Sequence, residues 1–399
     1  MDDRQRVRVL IAACALTFLT GLNTGWSGPL IPKIAQLNGI ELGLAGHMVS
    51  ISACGSMLML VLGKILCEKF TSRNCLRIAA AIVGCGMLTI ALGPNVALLA
   101  LGAFVAGCGS GLNSIASTTS VLGDITRSAS NLNKVNLFFG IGAVVGPLVA
   151  WAGLTTQWSY HLVYLVGALY ALAFALTMRF SPTPAATIIT TAAPSPRILK
   201  RPALWIFALV IYMYVGMEVS SAAWLFTYLQ KFSGLDLALA SISMTILWIG
   251  LTLGRLASVF LCNRYSAARI TISGMVLASA ALLCLALFNG LGAATLAMVL
   301  LLGLGFGPIF PNTLAAANDY FRANTTTAST VVISCGAVGG ITVPMLANFC
   351  FNQVAWQFGM FVLLGLACTM LTVFILLMRN VSKKVDLSIP AEANEVVLT

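Results

Sequence analysis

"ALWIFALVIYMYVGMEVSSAAWLFTYL", residues 203–229, carries one charge, Glu218, in an otherwise uncharged and mostly apolar run. A helix of about 20 residues spans about 30 Å, the thickness of the hydrocarbon core of a bilayer. The stretch is therefore long enough to cross a membrane, and its acid falls near the middle. A charge at that depth costs about 2.5–3.5 kcal/mol on insertion scales. A carboxylate there calls for a partner, a watery cavity or a function.

The rest of the chain repeats the pattern. Of 399 residues, 59% are hydrophobic and only 8% are charged, against about 25% charged in a typical soluble domain. Twelve apolar runs of spanning length follow one another, from 9–31 to 355–378, with six before residue 179 and six after residue 202. Their length predicts helices, because barrel strands would alternate in polarity over about ten residues. The net charge of +11 is one-sided. With the N-terminus in the cytosol, only Lys33 and Lys231 of the basic residues fall outside, which is the positive-inside distribution and not a nucleic-acid surface. An even number of spans returns both termini to the cytosol. The cysteines are scattered without a C-x-x-C pair and predict neither disulfides nor a metal site.

Residues 179–202, "RFSPTPAATIITTAAPSPRILKRP", break the apolar pattern as a cytosolic linker. They divide the chain into a six-helix bundle at 1–178 and a second at 203–378, with a cytosolic tail at 379–399. A shift of 195 residues overlays the two. "CEKFTSR" (67–73) falls on "CNRYSAA" (262–268), Asp124 on Asp319, Gly55 on Gly250 and Gly21 on Gly216. With small slips, "GAVVG" (142–146) meets "GAVGG" (336–340), and Trp158 meets Trp356. Ordered matches at a near-constant offset point to an internal duplication. The expected fold is all-α, with twelve transmembrane helices in two pseudo-symmetric six-helix bundles, an arrangement that lets the halves rock about a central site.

"NLNKVNLFFGIGAVVGP" (131–147), "YVGMEVSSAAWLFTYL" (214–229), "WIGLTLGRL" (248–256) and "GLGFGPIFPNTLA" (303–315) resemble the major facilitator superfamily, in particular its fucose permease and sodium-dependent glucose transporter-like subgroup. The resemblance implies alternating access, a sugar-like solute, coupling to H⁺ or Na⁺, and residence in the plasma (cell inner) membrane. The chain departs from the family in "GKILCEKFTSR", the loop after the second span, where Cys67 stands at the usual acidic position and Glu68 one place later.

Glu218 is the acid read as embedded, and the 195-residue shift places Asn23 opposite it. Both halves thus bring a polar group to the same depth of their first helix. A carboxyl group there can take a proton on one side and release it on the other, accept hydrogen bonds from hydroxyls, or help hold a cation. Alternatively it is protonated and packs against a neighbouring helix. No embedded Lys or Arg stands beside it in this reading, which assigns Arg255 to the inside face. Asn113 and Asn312 add amides within spans, and Asn136 stands where the resemblance keeps a polar substrate contact. For Asn136 a helix start is the alternative, and for Asn312 the capping of a proline kink. Trp26, Trp224 and Trp248 lie inside spans, away from the interfaces that tryptophans favour, and either line a pocket or pack between helices. Tyr228 is a gate candidate or a belt residue, and His47 and His161 read as interfacial.

No nucleotide-binding motif is present: "GCGSG" (107–111) lacks the G-K-[ST] ending of a phosphate loop. The leading expectation is a secondary active transporter, without cofactor or metal, whose single chain supplies its own pathway as a monomer. The alternatives are a proton-driven exporter of an amphipathic compound or drug, and a transporter-derived sensor or scaffold. An enzyme would need a cluster of reactive groups at one depth, which the chain does not offer.

Overall fold

The computed structural model describes residues 3–70, 72–122, 128–156, 159–178, 196–262, 264–288, 292, 294–321 and 324–386. The first half contributes α1 (Asp3–Asn38), α2 (Leu42–Lys69), α3 (Ser72–Leu92), α4 (Val96–Leu122), α5 (Ser128–Leu154) and α6 (Ser159–Thr177). After the short α7 (Pro196–Leu199) come α8 (Pro202–Lys231), α9 (Leu237–Leu261), α10 (Ala267–Leu287), α11 (Ala294–Phe306), α12 (Ile309–Tyr320), α13 (Thr325–Phe349) and α14 (Trp356–Asp386). Among the described residues there are 12 stretches long and apolar enough to cross a membrane, and no strand. Most of the linker, Asp124, Trp158 and the end of the tail lie outside the described residues.

The tenth span is two helices. Gly307 and Pro308 separate α11 from α12, as expected where proline lacks an N–H and clashes with the preceding turn. A π turn, Cys350–Val354, ends the eleventh span.

The two halves pack by one plan. In the first, α1 lies on α5, α4 on both α2 and α3, and α3 on α6. The same pairs recur in the second as α8 on α13, α11 on both α9 and α10, and α10 on α14. Small residues hold these helices close, as is usual where lipid removes the hydrophobic drive for association. Gly107 faces the carbonyl of Ser52, and Gly303 faces that of Leu247. The 195-residue shift carries Ser52 to Leu247 and Gly107 to within one residue of Gly303.

Across the halves, α1 meets α8, α2 meets α13 and α5 meets α9. The start of α1, the end of α6, α7 and the end of α14 mark the near end of the bundle, and the joints between the halves lie from mid-depth to the far end. Gly28 of α1 sits on the backbone of Ala222, and Gly46 of α2 lies against the indole of Trp224. Ser50 donates to the carbonyl of Ile341 at 3.1 Å, and Thr245 donates to that of Val144 at 3.1 Å. The two bundles enclose a central space at the depth of Asn23 and Glu218.

Candidate solute cavity

The α1–α8 and α5–α9 joints bound a cavity of about 390 Å³, within the usual range for small-molecule sites. Asn23, Glu218 and Trp248 all line it. The acid and the amide that the repeat relates thus face one space from the two halves.

Asn23 is oriented by its neighbour. Trp26 Nε1 donates to Asn23 Oδ1 at 3.0 Å. An indole nitrogen can only donate, so this contact fixes the amide with its oxygen toward Trp26 and its Nδ2 free to donate. Trp26 itself is buried and packs edge-on against Tyr164, with ring centroids 6.0 Å apart. It positions the cavity wall from behind and does not line it.

Glu218 is not alone. Its carboxylate lies 3.8 Å from the Arg255 guanidinium on α9, beyond hydrogen-bond length but within ion-pair range. Glu218 is 19% exposed and Arg255 43% exposed, so the pair is partly open to water. The Tyr214 hydroxyl, one turn earlier on α8, is buried and stands within electrostatic reach of both groups. The expectation of an unpartnered acid is corrected here. Arg255 lies six positions inside the end of α9, and its side chain reaches back toward mid-depth. Its place in "WIGLTLGRL" (248–256), within a run of spanning length, was the signal that could have found it.

The remaining wall combines flat rings and hydroxyls. Phe139 and Trp248 meet edge to face with centroids 6.5 Å apart, and both line the cavity with Tyr164. Thr24 and Ser110 each donate to a carbonyl one turn back, at 3.0 Å in both cases, and keep lone pairs for a solute. Ser52 and Ser56 also face the space, set there by the close glycine packing of α4 on α2. Sequence reasoning missed these hydroxyls, because small polar residues in spans carry no signal of which way they point. Toward the far end the wall is apolar, with Ile31, Ile34, Met48 and Val49.

The other candidate residues lie elsewhere. Asn113 is buried in a closed triangle, donating to Thr17 Oγ1 at 3.2 Å and accepting from Ser117 at 2.9 Å. Asn312 exchanges hydrogen bonds with Ser258 at 3.0 and 3.2 Å, tying α12 to α9. Asn136 is exposed on α5, outside the cavity lining. Trp224 is buried against Phe351 and Trp356, with centroids 6.0 and 6.5 Å away. Tyr228 is buried and donates to the carbonyl of Leu285 at 2.7 Å. His47 joins the α2–α13 contact, and His161 bonds the Ala91 carbonyl at 2.7 Å. Among the described residues no cluster of metal-ligating side chains is present.

The Major Facilitator Superfamily model matches residues 13–344, and the chain belongs to that superfamily. Bypass of stop codon protein 6 of Saccharomyces cerevisiae is 21% identical over 400 residues, 88% of this chain and 79% of the relative. The nucleoside transporter NupG has a TM-score of 0.74 at 16% identity, covering 95% of this chain and 99% of its own. The Escherichia coli fucose:proton symporter FucP has a TM-score of 0.62 at 16% identity, covering 93% of this chain and 99% of its own. These two structures show likeness of fold. The chain is a multi-pass membrane transporter of small solutes and not an enzyme.

Proposed function

We propose that this superfamily member is a secondary active transporter of a small, hydroxyl-rich, sugar-like solute. In this reading Glu218 couples transport to an ion gradient by alternating access. The carrying observation is that Asn23 and Glu218, equivalent under the repeat, line one cavity from opposite halves. Asn23 offers a donor and ionised Glu218 offers acceptors, which suits a solute whose hydroxyls do both. The rings of Phe139, Tyr164 and Trp248 supply flat apolar faces beside them.

Of the two ions, H⁺ fits better than Na⁺. Arg255 already places a positive charge 3.8 Å from the carboxylate, which opposes a second cation and leaves a proton as the competitor. Protonation of Glu218 removes the attraction to Arg255, and that loosens the link between α8 and α9 when the loaded cavity changes sides. The moving bodies in this scheme are the bundles 1–178 and 203–378, joined by the linker 179–202 and closed at the far end in the state seen. We place the monomer in the plasma (cell inner) membrane with both termini and the tail 379–399 in the cytosol, following its basic end.

The test is a thermal-shift screen of sugars, nucleosides, organic acids and drugs on the purified protein. Hits then go to uptake in proteoliposomes with imposed proton or sodium gradients. Accumulation of a polyhydroxylated solute under a proton gradient alone is expected. If only amphipathic drugs bind and are expelled, the apolar wall around Ile31, Ile34 and Met48 decides the specificity, and the protein is an exporter. Movement of no solute at all would favour a sensor or scaffold.

A further inference from the structure

A separate cavity of about 500 Å³ opens between α9, α10 and the break at Gly307–Pro308. Its mouth, at the near end, holds Arg269 and Tyr265, and its depth is walled by Ile270, Leu277, Leu304 and Pro308. From Arg269 to Leu277 along α10 is about 12 Å at 1.5 Å per residue. The hydroxyls inside are already engaged: Ser273 donates to the Arg269 carbonyl at 2.9 Å, and Ser258 is closed onto Asn312 at 3.0 Å. The groove therefore grades from a charged mouth to an apolar interior.

The charge at the mouth is uncompensated. Arg269 is exposed, as is Arg264 in the turn that joins α9 to α10. Among the described residues neither has an acidic partner. We propose that the groove is a binding site for an anionic phospholipid, with the phosphate on Arg269 at its mouth, Arg264 of the adjoining turn adding to the positive field, and an acyl chain along Ile270 and Leu277. Basic pockets between membrane helices take anionic headgroups. A soluble anion would leave the 12 Å apolar wall unused, and a zwitterionic lipid would gain little from two unpaired arginines. The occupant would lie against Pro308 and Gly254. Gly307 packs on the backbone of Gly254 and Arg255, so the lipid would brace the helix break next to the residue that pairs with Glu218. The proposal stands apart from the identity of the solute.

The test is thermal unfolding of the full-length protein in detergent, titrated with phosphatidylglycerol, phosphatidylcholine or inorganic phosphate. Phosphatidylglycerol is expected to raise Tm saturably, while the other two do not. Arg264→Gln and Arg269→Gln should each raise the half-saturating concentration about fivefold. Leu277→Trp, which fills the apolar wall, should abolish the response and leave the lipid-free Tm near that of the parent. An equal shift from phosphatidylcholine would overturn the proposal, as would full reproduction by inorganic phosphate. So would a phosphatidylglycerol response that survives Leu277→Trp, which decides the matter even if an arginine variant fails to fold.

Discussion

Glu218 on α8 and Arg255 on α9 hold opposite charges 3.8 Å apart at the edge of the central cavity. Arg255 is more than a third exposed, and water screens such a pair, so it contributes about 1 kcal/mol or less to stability. The pair matters more for what happens when one member loses its charge.

Replacing Glu218 by Gln keeps the shape of the side chain and removes the exchangeable proton. Uphill accumulation in proteoliposomes should be lost, while solute exchange at equal concentrations on both sides stays within about threefold of the parent, a factor worth less than 1 kcal/mol. Unchanged accumulation in this variant would remove Glu218 from the coupling scheme.

Arg255→Gln should lower the accumulation ratio with little change in Tm, since the pair is screened. Arg255→Lys should restore part of the ratio, because the charge returns without the planar fork. A variant that merely misfolds would show neither the preserved Tm nor the rescue.

At the far end, Asn348 donates to the Gly43 carbonyl at 2.8 Å and lies 3.3 Å from both ring nitrogens of His47. Hydrogen bonds of this kind contribute about 0.5–1.5 kcal/mol each. Asn348→Ala should therefore raise the population open at the far end by up to about tenfold. Spin labels at the exposed positions Gln36 and Lys231, in a background without reactive cysteines, would report a longer distance. An unaltered distance distribution would show that the clasp does not hold the halves together.

Asn23 and Asn113 should fail differently. Asn23→Ala removes a cavity donor and should raise KM about tenfold, on the order of one lost hydrogen bond to solute, with some loss of Tm because the buried Trp26 indole loses its acceptor. Asn113→Ala opens the buried triangle with Thr17 and Ser117, and should cost about 1–3 kcal/mol of stability with KM unchanged. A reversed pattern would mean the roles of the two amides are exchanged.

Glycine packing makes the simplest structural test. A Cβ at Gly107 meets the Ser52 carbonyl, whereas one at Gly365 meets nothing within 4 Å. Gly107→Val should destabilise by about 1–3 kcal/mol or more through overpacking. Gly365→Ala should be neutral or slightly stabilising, because alanine favours the helix. Comparable folded yields from both would contradict the close α2–α4 contact.

The spans, their number and their pairing by a 195-residue offset were legible in the sequence, because hydropathy and repeated residues are properties of the chain order alone. So was the shared depth of Asn23 and Glu218, which follows from counting along equivalent helices. The directions of side chains around each helix were not legible. That rotation is set by which glycine lets which backbone approach, and it separates Trp248, in the cavity wall, from Trp224, buried beside Gly46. It likewise closes Asn113 into a triangle and turns Ser52 and Ser56 toward the solute space. Arg255 is the clearest case. Its charge near a span end matched the basic face, yet a long flexible side chain can act far from its own backbone. Only the packing of α8 against α9 decided that it meets the acid.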